Sequence, residues 1–380
     1  MIYLDSAATT FQKPAAVPRA VLQAMRTMSS PGRGGYESAR LAEETLFRCR
    51  KSAAALFSVP SEEQIIFTMN ATHALNIAIK SLVRPGGRVA VSGYEHNAVT
   101  RVLHALRAEV IVAAAPLFSP QETLEAFEGA LKAGVDAAVC THVSNVFGDI
   151  LPIEGVAQLC QSSGVPLIID ASQSAGVLPI DCKMLGAAFI AMPGHKGLYG
   201  PQGTGLLLCG GEALPLLQGG TGSESLRQEM PDFLPDRLEA GTHNVPGIAG
   251  LAAGIDFVRA QRTERILLHE RQLLRRAGEG MGRIPRVSCC LARDEKRQAG
   301  VLSFTVSGMQ PEQVAEQMAS RGVALRAGLH CAPFAHRTAG TLPDGTVRMS
   351  LSAFNRAFEI DAMLFSLREV AAARGRGEIS

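Results

Sequence analysis

The strongest constraint on the fold is the alternation of short apolar stretches with longer amphipathic ones between residues 15 and 209. The short stretches predict buried strands, and the amphipathic ones predict helices. This alternation is typical of a mostly parallel sheet covered by helices. Predicted strands cover 64–68, 88–92, 110–113, 137–140, 165–169, 186–192 and 206–209; predicted helices cover 15–28, 38–57, 121–131 and 153–162, and two more begin near 70 and 97.

After Gly247 the regular alternation of strand and helix ends, and the predicted strands and helices follow in a mixed order. We therefore predict an N-terminal segment of residues 1–15, a large domain of residues 16–256 and a smaller α+β domain of residues 257–380. The last residues, 374–380, have the composition of a solvated tail. In the smaller domain, predicted strands cover 287–291, 301–306 and 347–351; predicted helices cover 311–320 and 360–373, and one long helix over 248–274 enters from the large domain.

Composition excludes several classes of protein. The chain has 380 residues, of which 47% are hydrophobic and 19% charged, so it can bury a large core. Lys and Arg number 37 against 35 Asp and Glu, so no basic excess predicts binding to nucleic acid or an anionic membrane. The start has no secretory signal, so we expect a reducing cytoplasm. The 8 cysteines show no paired CxxC spacing, so we expect neither a metal site nor a disulfide scaffold.

Lys196 is the first candidate for chemistry. It follows the predicted strand at 186–192 and precedes a glycine-rich loop and the strand at 206–209. A lysine between two buried strands is costly unless its ammonium is paired or used. Desolvated lysines form Schiff bases with carbonyl compounds. A solvated lysine in a polar loop is the alternative.

Asp170 strengthens that hypothesis. It ends the predicted strand at 165–169, and open α/β sheets bind ligands at the carboxyl ends of their strands. Pyridoxal 5'-phosphate (PLP) needs a Schiff-base lysine and an acidic partner for its ring nitrogen. Lys196 and Asp170 are residues of these two types. The alternative for Asp170 on its own is a cap for the following turn.

The chain resembles the class V aminotransferase family of PLP enzymes, and within it the cysteine desulfurases and selenocysteine lyases. The resemblance covers nearly the whole chain and implies a PLP-dependent transferase fold of type I. It rests on motifs in the family's order: Tyr3-Leu-Asp-Ser-Ala-Ala-Thr-Thr10, Ala71-Thr-His-Ala-Leu-Asn76, Glu95-His-Asn97, Thr141-His-Val-Ser-Asn-Val146, Asp170-Ala-Ser-Gln173, Gly194-His-Lys196, Glu239-Ala-Gly-Thr242 and Arg326-Ala-Gly-Leu-His-Cys331.

The resemblance implies roles around the cofactor ring. Lys196 would carry PLP and later move protons, and Asp170 would keep the ring nitrogen protonated. Gln173 would hydrogen-bond the phenolic oxygen, and His96 would stack on the ring. Asn145 would lie near the phenolic oxygen and the substrate.

Further roles concern the phosphate and the substrate. Ala71 and Thr72, at a predicted helix start, and His195 would bind the phosphate, since helix N-termini bind anions. The alternative role for Thr72 is that of the helix cap. Thr242 matches a threonine that reaches the phosphate of the neighbouring subunit, which implies a homodimer. Arg348 would pair with the substrate α-carboxylate, for which its planar fork is suited.

Cys331 would accept sulfur from L-cysteine, leaving L-alanine and a persulfide that a protein sulfur acceptor could collect. Its neighbours His330 and Arg326 predict an electropositive setting that favours the thiolate. L-Selenocysteine is an alternative substrate that needs no such thiol. Another PLP-dependent aminotransferase or lyase remains an alternative, because the fold does not fix the reaction. A nucleotide-binding protein is disfavoured, since the chain has no GxxxxGK[ST] loop.

Four positions depart from better-known members of the family. Pro193 stands where a serine often contacts the phosphate, and His73 stands where an acid is usual. Gly197 is an additional residue directly after the lysine, and Tyr36 replaces a frequent histidine. These departures leave the predicted cofactor unchanged but put the substrate and the sulfur acceptor in question.

Overall fold

The computed structural model describes residues 1–32 and 34–373, so the predicted tail at 374–380 lies outside the described residues. The helices are α1 (Ala16–Thr27), α2 (Glu37–Phe57), α3 (Ala71–Leu82), α4 (Asn97–Ala105), α5 (Pro120–Lys132), α6 (Ile153–Ser162), α7 (Cys182–Leu185), α8 (Val245–Gln261), α9 (Thr263–Met281), α10 (Pro311–Ser320), α11 (Pro333–Thr338) and α12 (Ala357–Ala373). The strands are β1 (Ile2–Tyr3), β2 (Ile65–Thr68), β3 (Arg88–Ser92), β4 (Glu109–Ala113), β5 (Ala137–Thr141), β6 (Leu167–Asp170), β7 (Phe189–Pro193), β8 (Gly205–Cys209), β9 (Val287–Cys289), β10 (Val301–Val306), β11 (Val323–Ala324), β12 (Arg326–Gly328) and β13 (Thr346–Ser350).

The largest sheet in the described chain has the strand order β2-β8-β7-β6-β5-β3-β4. β8 runs antiparallel to both of its neighbours, and the other pairs are parallel. The central strands are buried on both faces, as parallel sheets require. The predicted mostly parallel sheet is therefore confirmed, and the carboxyl ends of β5, β6 and β7 meet at one edge.

The smaller unit is built on an antiparallel sheet of order β12-β13-β10-β9. Helices α9, α10 and α12 cover it and contribute to a separate apolar core. This confirms the predicted α+β organisation of the C-terminal part. Short strand β1 pairs with β11, so the first residues of the chain belong to this second unit as well.

The predicted single helix over 248–274 is wrong. Helix α8 ends at Gln261 and α9 begins at Thr263, because Arg262 adopts a left-handed backbone with φ of 68°. A non-glycine residue in that region interrupts a right-handed helix. The boundary predicted between residues 256 and 257 falls inside α8, and the domain limits stay a prediction.

Two kinds of feature, a membrane-spanning helix and a cluster of metal ligands, are absent from the described residues. No helix between residues 1 and 373, outside the gap at 33, combines the length and apolar character needed to cross a membrane. In the same part of the chain, no three or more His, Cys, Asp or Glu side chains come together as metal ligands.

Candidate active site

A cavity of about 200 Å³ lies at the carboxyl ends of β5, β6 and β7, between the large sheet and the segment that follows β12. Its wall contains residues from both units, including Lys196 from the large one and Cys331 from the small one. This is the position at which open α/β sheets bind their ligands.

Most of the residues predicted from the sequence line this cavity. They are Ala71, Thr72, His96, Asn145, Gln173, His195, Lys196, Cys331 and Arg348. Asp170 is buried at the end of β6, and Thr242 lies at a different concave surface. The fold thus brings together predicted site residues that are far apart in the sequence, the most distant pair being Ala71 and Arg348, 277 positions apart.

Lys196 lies just beyond β7, in a cavity from which much of the water is excluded. No hydrogen bond or ion pair joins its Nζ to another described residue. The pKa of Lys196 is lowered to about 8, chiefly by burial. Asp170 opposes this shift, and the charges of Arg348 and Arg326 contribute to it. The amine is therefore easier to deprotonate than an ordinary lysine, as a Schiff-base lysine requires.

Asp170 is the last residue of β6, paired in register with Thr141 of β5 and Ala191 of β7. Its Oδ1 accepts a hydrogen bond of 2.9 Å from the backbone N–H of Ser172. The carboxylate is 3% exposed and acts electrostatically on both His96 and Lys196. The carboxyl group of Asp170 is therefore held in place at the end of β6, close enough to both side chains to act on them.

His96 is the N-cap of α4, and its Nδ1 accepts a hydrogen bond of 3.0 Å from Ala98 N–H. The proton of the neutral ring consequently sits on Nε2. Burial lowers the pKa of His96, Asp170 raises it, and Lys196 lowers it again. The ring is a neutral donor at the wall of the cavity.

Glu95, beside His96, is a residue whose contacts the sequence reasoning missed. Its Oε1 accepts hydrogen bonds from Ser92 Oγ at 2.5 Å and from Thr141 N–H at 2.7 Å. Burial raises the pKa of Glu95 to about 8, and Asp170 adds to the shift. A neutral Glu95 thus links the ends of β3 and β5 under the cavity.

The N-terminus of α3 opens onto the cavity, with Ala71 and Thr72 in its wall. Asn70, not Thr72, is the cap: its Oδ1 accepts from His73 N–H at 2.9 Å. The interpretation of Thr72 as a cap is therefore wrong. The first amides of a helix have no intrahelical acceptor, so Ala71 and Thr72 have N–H groups available for an anion.

The peptide before Lys196 is held by the N-terminal segment. In the described chain, the His195 carbonyl lies within hydrogen-bond distance of Thr9 Oγ1 (3.2 Å), Thr10 N–H (3.1 Å), Thr10 Oγ1 (3.0 Å) and Lys13 Nζ (3.0 Å). Burial lowers the pKa of His195 to about 4, and Lys196 and Lys13 add to the shift, so its ring is neutral. Its Nδ1 is buried and has no partner among the described residues. The contribution of Lys13 was not predicted from the sequence.

Arg348 lies on β13 and is 2% exposed. Its Nη2 donates to Asp5 Oδ1 at 2.8 Å, and its Nη1 donates to the Asn145 carbonyl at 2.9 Å. The Nε has no partner among the described residues. Gln173, also in the wall, donates from Nε2 to the Ala7 carbonyl at 3.1 Å. The guanidinium is thus fixed in direction while part of its fork is left for a ligand.

Cys331 follows β12 and is the one cysteine, of the 8 in the described chain, that is exposed. The sequence predicted two basic neighbours, His330 and Arg326. Only Arg326 supplies charge, because burial lowers the pKa of His330 to about 2 and the positive charge of Arg348 adds to the shift. The prediction of a cationic His330 is therefore wrong, and the positive charges at this wall are guanidinium groups.

Thr242 is exposed and lies outside the cavity. Its segment is anchored by Glu239, which accepts from both Arg50 nitrogens (2.6 and 3.0 Å) and from Phe67 N–H (2.6 Å). His243 is 3.2 Å from the same carboxylate. The anchor fixes Thr242 on the surface at a distance from its own cavity.

The four departures from the family pattern lie in different places. Pro193 ends β7 and lines the cavity, whereas His73 lines the concave surface that contains Thr242. A Cβ at Gly197 would lie 2.4 Å from the Ala175 carbonyl, so only glycine fits after the lysine. Tyr36 is the exposed N-cap residue of α2.

The family model of class-V aminotransferases matches residues 2–363. The chain belongs to the class-V aminotransferase family. Members of this family are PLP enzymes, which confirms the resemblance found in the motifs.

Two relatives show how the chain compares in sequence. It is 32% identical to a probable cysteine desulfurase of Methanothermobacter thermautotrophicus, over 97% of this chain and 94% of that protein. It is also 32% identical to a probable cysteine desulfurase of Mycolicibacterium paratuberculosis, over 98% of this chain. There the chain spans 55% of the length of the relative.

Solved structures agree in fold. A cysteine desulfurase from Thermococcus onnurineus superimposes with a TM-score of 0.88 at 29% identity, covering 98% of this chain and 94% of that one. A cysteine desulfurase from Escherichia coli gives 0.84 at 26% identity, covering 98% and 95%. The predicted fold, a PLP-dependent transferase of type I, is confirmed.

Proposed function

We propose that this chain is a PLP-dependent cysteine desulfurase that converts L-cysteine to L-alanine and receives the sulfur as a persulfide on Cys331. The observation that carries the proposal is that the exposed Cys331 and the half-buried Lys196 line the same cavity. An aminotransferase has no need of the thiol. The names of the relatives support the same reaction.

The residues present fit PLP. A lysine without an ion pair and a helix N-terminus line one cavity, and the carboxylate of Asp170 is buried at the end of β6. The buried His195 Nδ1 has no partner among the described residues. Lys196 would hold the aldehyde, Asp170 the ring nitrogen and Gln173 the phenolic oxygen, with His96 against the ring. Ala71, Thr72 and His195 would hold the phosphate. PLP, when bound, withdraws electrons from the Cα of an attached amino acid.

The substrate carboxylate would bind at Arg348. The guanidinium of an arginine has five N–H groups, of which one donates to Asp5 and one to the Asn145 carbonyl. The remaining N–H groups can pair with a carboxylate in the water-poor cavity, where charge-assisted hydrogen bonds are strong. Asn145 keeps Arg348 directed towards the substrate.

The residues of the chain then move protons at Cα and Cβ of the substrate and transfer one sulfur. Lys196 Nζ, released as the free amine, takes the Cα proton of the bound cysteine. The Cys331 thiolate attacks the substrate sulfur, so that an S–S bond forms as the Cβ–S bond breaks. The electron pair of the broken bond stays on the carbon skeleton of the substrate. One proton converts Cβ into a methyl group, and Lys196 returns a proton to Cα, which completes alanine. The sulfur remains on Cys331 for transfer to a protein acceptor.

The proposed active unit is a homodimer in which Thr242 reaches the phosphate of the neighbouring subunit. The exposed Thr242 and its anchored segment support this arrangement. L-Selenocysteine is the alternative substrate. A cytoplasmic location, expected from the sequence, stays a prediction.

The test is product analysis on the holo-protein and on Cys331→Ala. The wild type should form equal amounts of alanine and sulfide from L-cysteine with reductant, and should gain one sulfur on the Cys331 peptide without it. Cys331→Ala should keep PLP but release no sulfide from L-cysteine. The exposed-site control is Ser320→Ala, at the end of α10. Keto acid with aminated cofactor would identify an aminotransferase instead, and wild-type sulfide release by Cys331→Ala would exclude the persulfide step.

A further inference from the structure

The turn that carries Cys331 has a costly backbone. His330 and Cys331 both adopt left-handed conformations, with φ of 49° and 55°. Side chains disfavour this region, and among the described non-glycine residues these are the only two consecutive ones that occupy it. Such a conformation persists only where the surrounding structure enforces it, and it is frequent at active sites.

Three hydrogen bonds from different elements hold the turn. The His330 ring bonds through Nε2 to the Thr346 carbonyl at 3.0 Å. The His330 carbonyl accepts from Asn145 Nδ2 at 2.8 Å, and the Cys331 carbonyl accepts from Asn97 N–H at 2.7 Å. The His330 ring is the only side chain of the turn itself that takes part in these three bonds.

The chemistry of the ring follows from its partner. A carbonyl only accepts, so His330 Nε2 carries the proton and Nδ1 has the lone pair. No described residue donates to that Nδ1. The ring is 5% exposed and packs on His336 at 5.8 Å. It serves as a fixed hydrogen-bond donor and adds no positive charge to the cavity.

We propose that His330 is a positioning residue whose Nε2–H bond to Thr346 holds the left-handed turn that presents the Cys331 thiol to the cavity. The proposal rests on the proposed function of Cys331 as the sulfur acceptor. It predicts that the loss of this one donor lowers the reactivity of a cysteine that the variant leaves in place.

Three substitutions separate the donor from the shape of the side chain. In His330→Gln, the side-chain amide can reach the Thr346 carbonyl as Nε2 does. In His330→Leu, volume is kept and the donor is lost. In His330→Asn, the residue tolerates a left-handed backbone, but its shorter amide does not reach Thr346. His104→Leu, at an exposed position of α4, is the matched control.

Two measurements on the holo-proteins test the proposal. The first is the rate at which iodoacetamide alkylates Cys331, followed by mass spectrometry. The second is the ratio of L-cysteine turnover to L-selenocysteine turnover, since selenocysteine does not require the thiol. In His330→Leu and His330→Asn, we expect both to fall by about tenfold to a hundredfold, the usual effect of misplacing a reacting group. His330→Gln should keep most of the wild-type alkylation rate and turnover ratio, and His104→Leu should match the wild type in both.

Wild-type alkylation and an unchanged turnover ratio in His330→Asn would overturn the proposal, as would an equal loss on both substrates. If His330→Leu does not fold, the comparison of Asn with Gln decides. A wild type that forms no persulfide from L-cysteine would refute the proposed function, and the alkylation rates would still decide the role of His330.

Discussion

Asp5 and Arg348 form a 2.8 Å ion pair across 343 positions of the chain, with both side chains largely removed from water. The pair joins the N-terminal segment to strand β13 of the small sheet. No other carboxylate of the described chain pairs with Arg348. Burial lowers the pKa of Arg348, and Asp5 opposes that shift.

Asp5→Asn should therefore destabilise the fold. Removing one partner of a buried pair leaves an uncompensated charge, and the free energy of unfolding should fall by about 3 kcal/mol. Urea denaturation of the apo-protein measures the loss. The control is Asp361→Asn, which breaks the exposed pair with Arg276 and should leave the unfolding midpoint essentially unchanged. Equal midpoint shifts in the two variants would show that the burial of Arg348 does not determine how much stability is lost when its ion pair is broken.

Asp170→Asn should keep PLP but lose most turnover. The amide is nearly isosteric and can still accept from Ser172 N–H, but it does not provide the negative charge. Electrostatic terms of this kind are worth about 10²–10³-fold in kcat. Alanine formation per bound cofactor is the measurement. Asp181→Asn, which has a similar local bond to Met184 N–H, is the control and should keep full activity. Near-normal turnover by Asp170→Asn would refute the proposal that the negative charge of Asp170 is needed for the reaction.

The rate at which the apo-protein takes up PLP should follow the protonation of Lys196. Only the neutral amine attacks an aldehyde, and the pKa of Lys196 is lowered to about 8. Below that pH, the neutral fraction and hence the rate should rise about tenfold per pH unit, and above it the rate should level off. Absorbance of the bound cofactor follows the reaction. A rate that keeps rising to pH 10 would show an ordinary lysine.

Subunit complementation tests the proposed dimer. A site made from Lys196 of one subunit and Thr242 of its partner is intact in a mixed dimer of Lys196→Ala and Thr242→Ala. Unfolding and refolding the two variants together should therefore give more activity than either variant alone, with one intact site in each mixed dimer. Light scattering checks the dimer, and mixing two preparations of Lys196→Ala is the control. A fully active monomer would exclude shared sites.

Residues with a clear local pattern could be placed from the sequence. Strands at 88–92 and 301–306 and helices at 153–162 and 311–320 have the predicted bounds. Their apolar periodicity agrees with their burial in the fold. The site residues at strand ends, Asp170 and Lys196, followed from the same pattern, because a parallel sheet places those ends together.

Other features depend on contacts between distant residues, which periodicity does not contain. Arg262 breaks the predicted helix by a single backbone angle. From the sequence, Thr72 is a candidate cap of α3, and only the side-chain positions show that Asn70 is the cap instead. The sequence predicts a cationic His330 beside Cys331, and only the burial of the ring in the structure shows that it is neutral. Lys13 carries no motif, and its link to the His195 carbonyl appears only in three dimensions.

The N-terminal segment has a mechanical consequence. Its β1 strand is fixed to β11 of the small unit, while Thr10 is fixed to the peptide that precedes Lys196. Lys196 and Cys331 belong to different units, so the span from Tyr3 to Thr10 acts as a spacer of constant length between the amine and the thiol. Together with the hydrogen bonds from Asn97 and Asn145 to the Cys331 turn, the length of this span restrains the distance between the amine and the thiol.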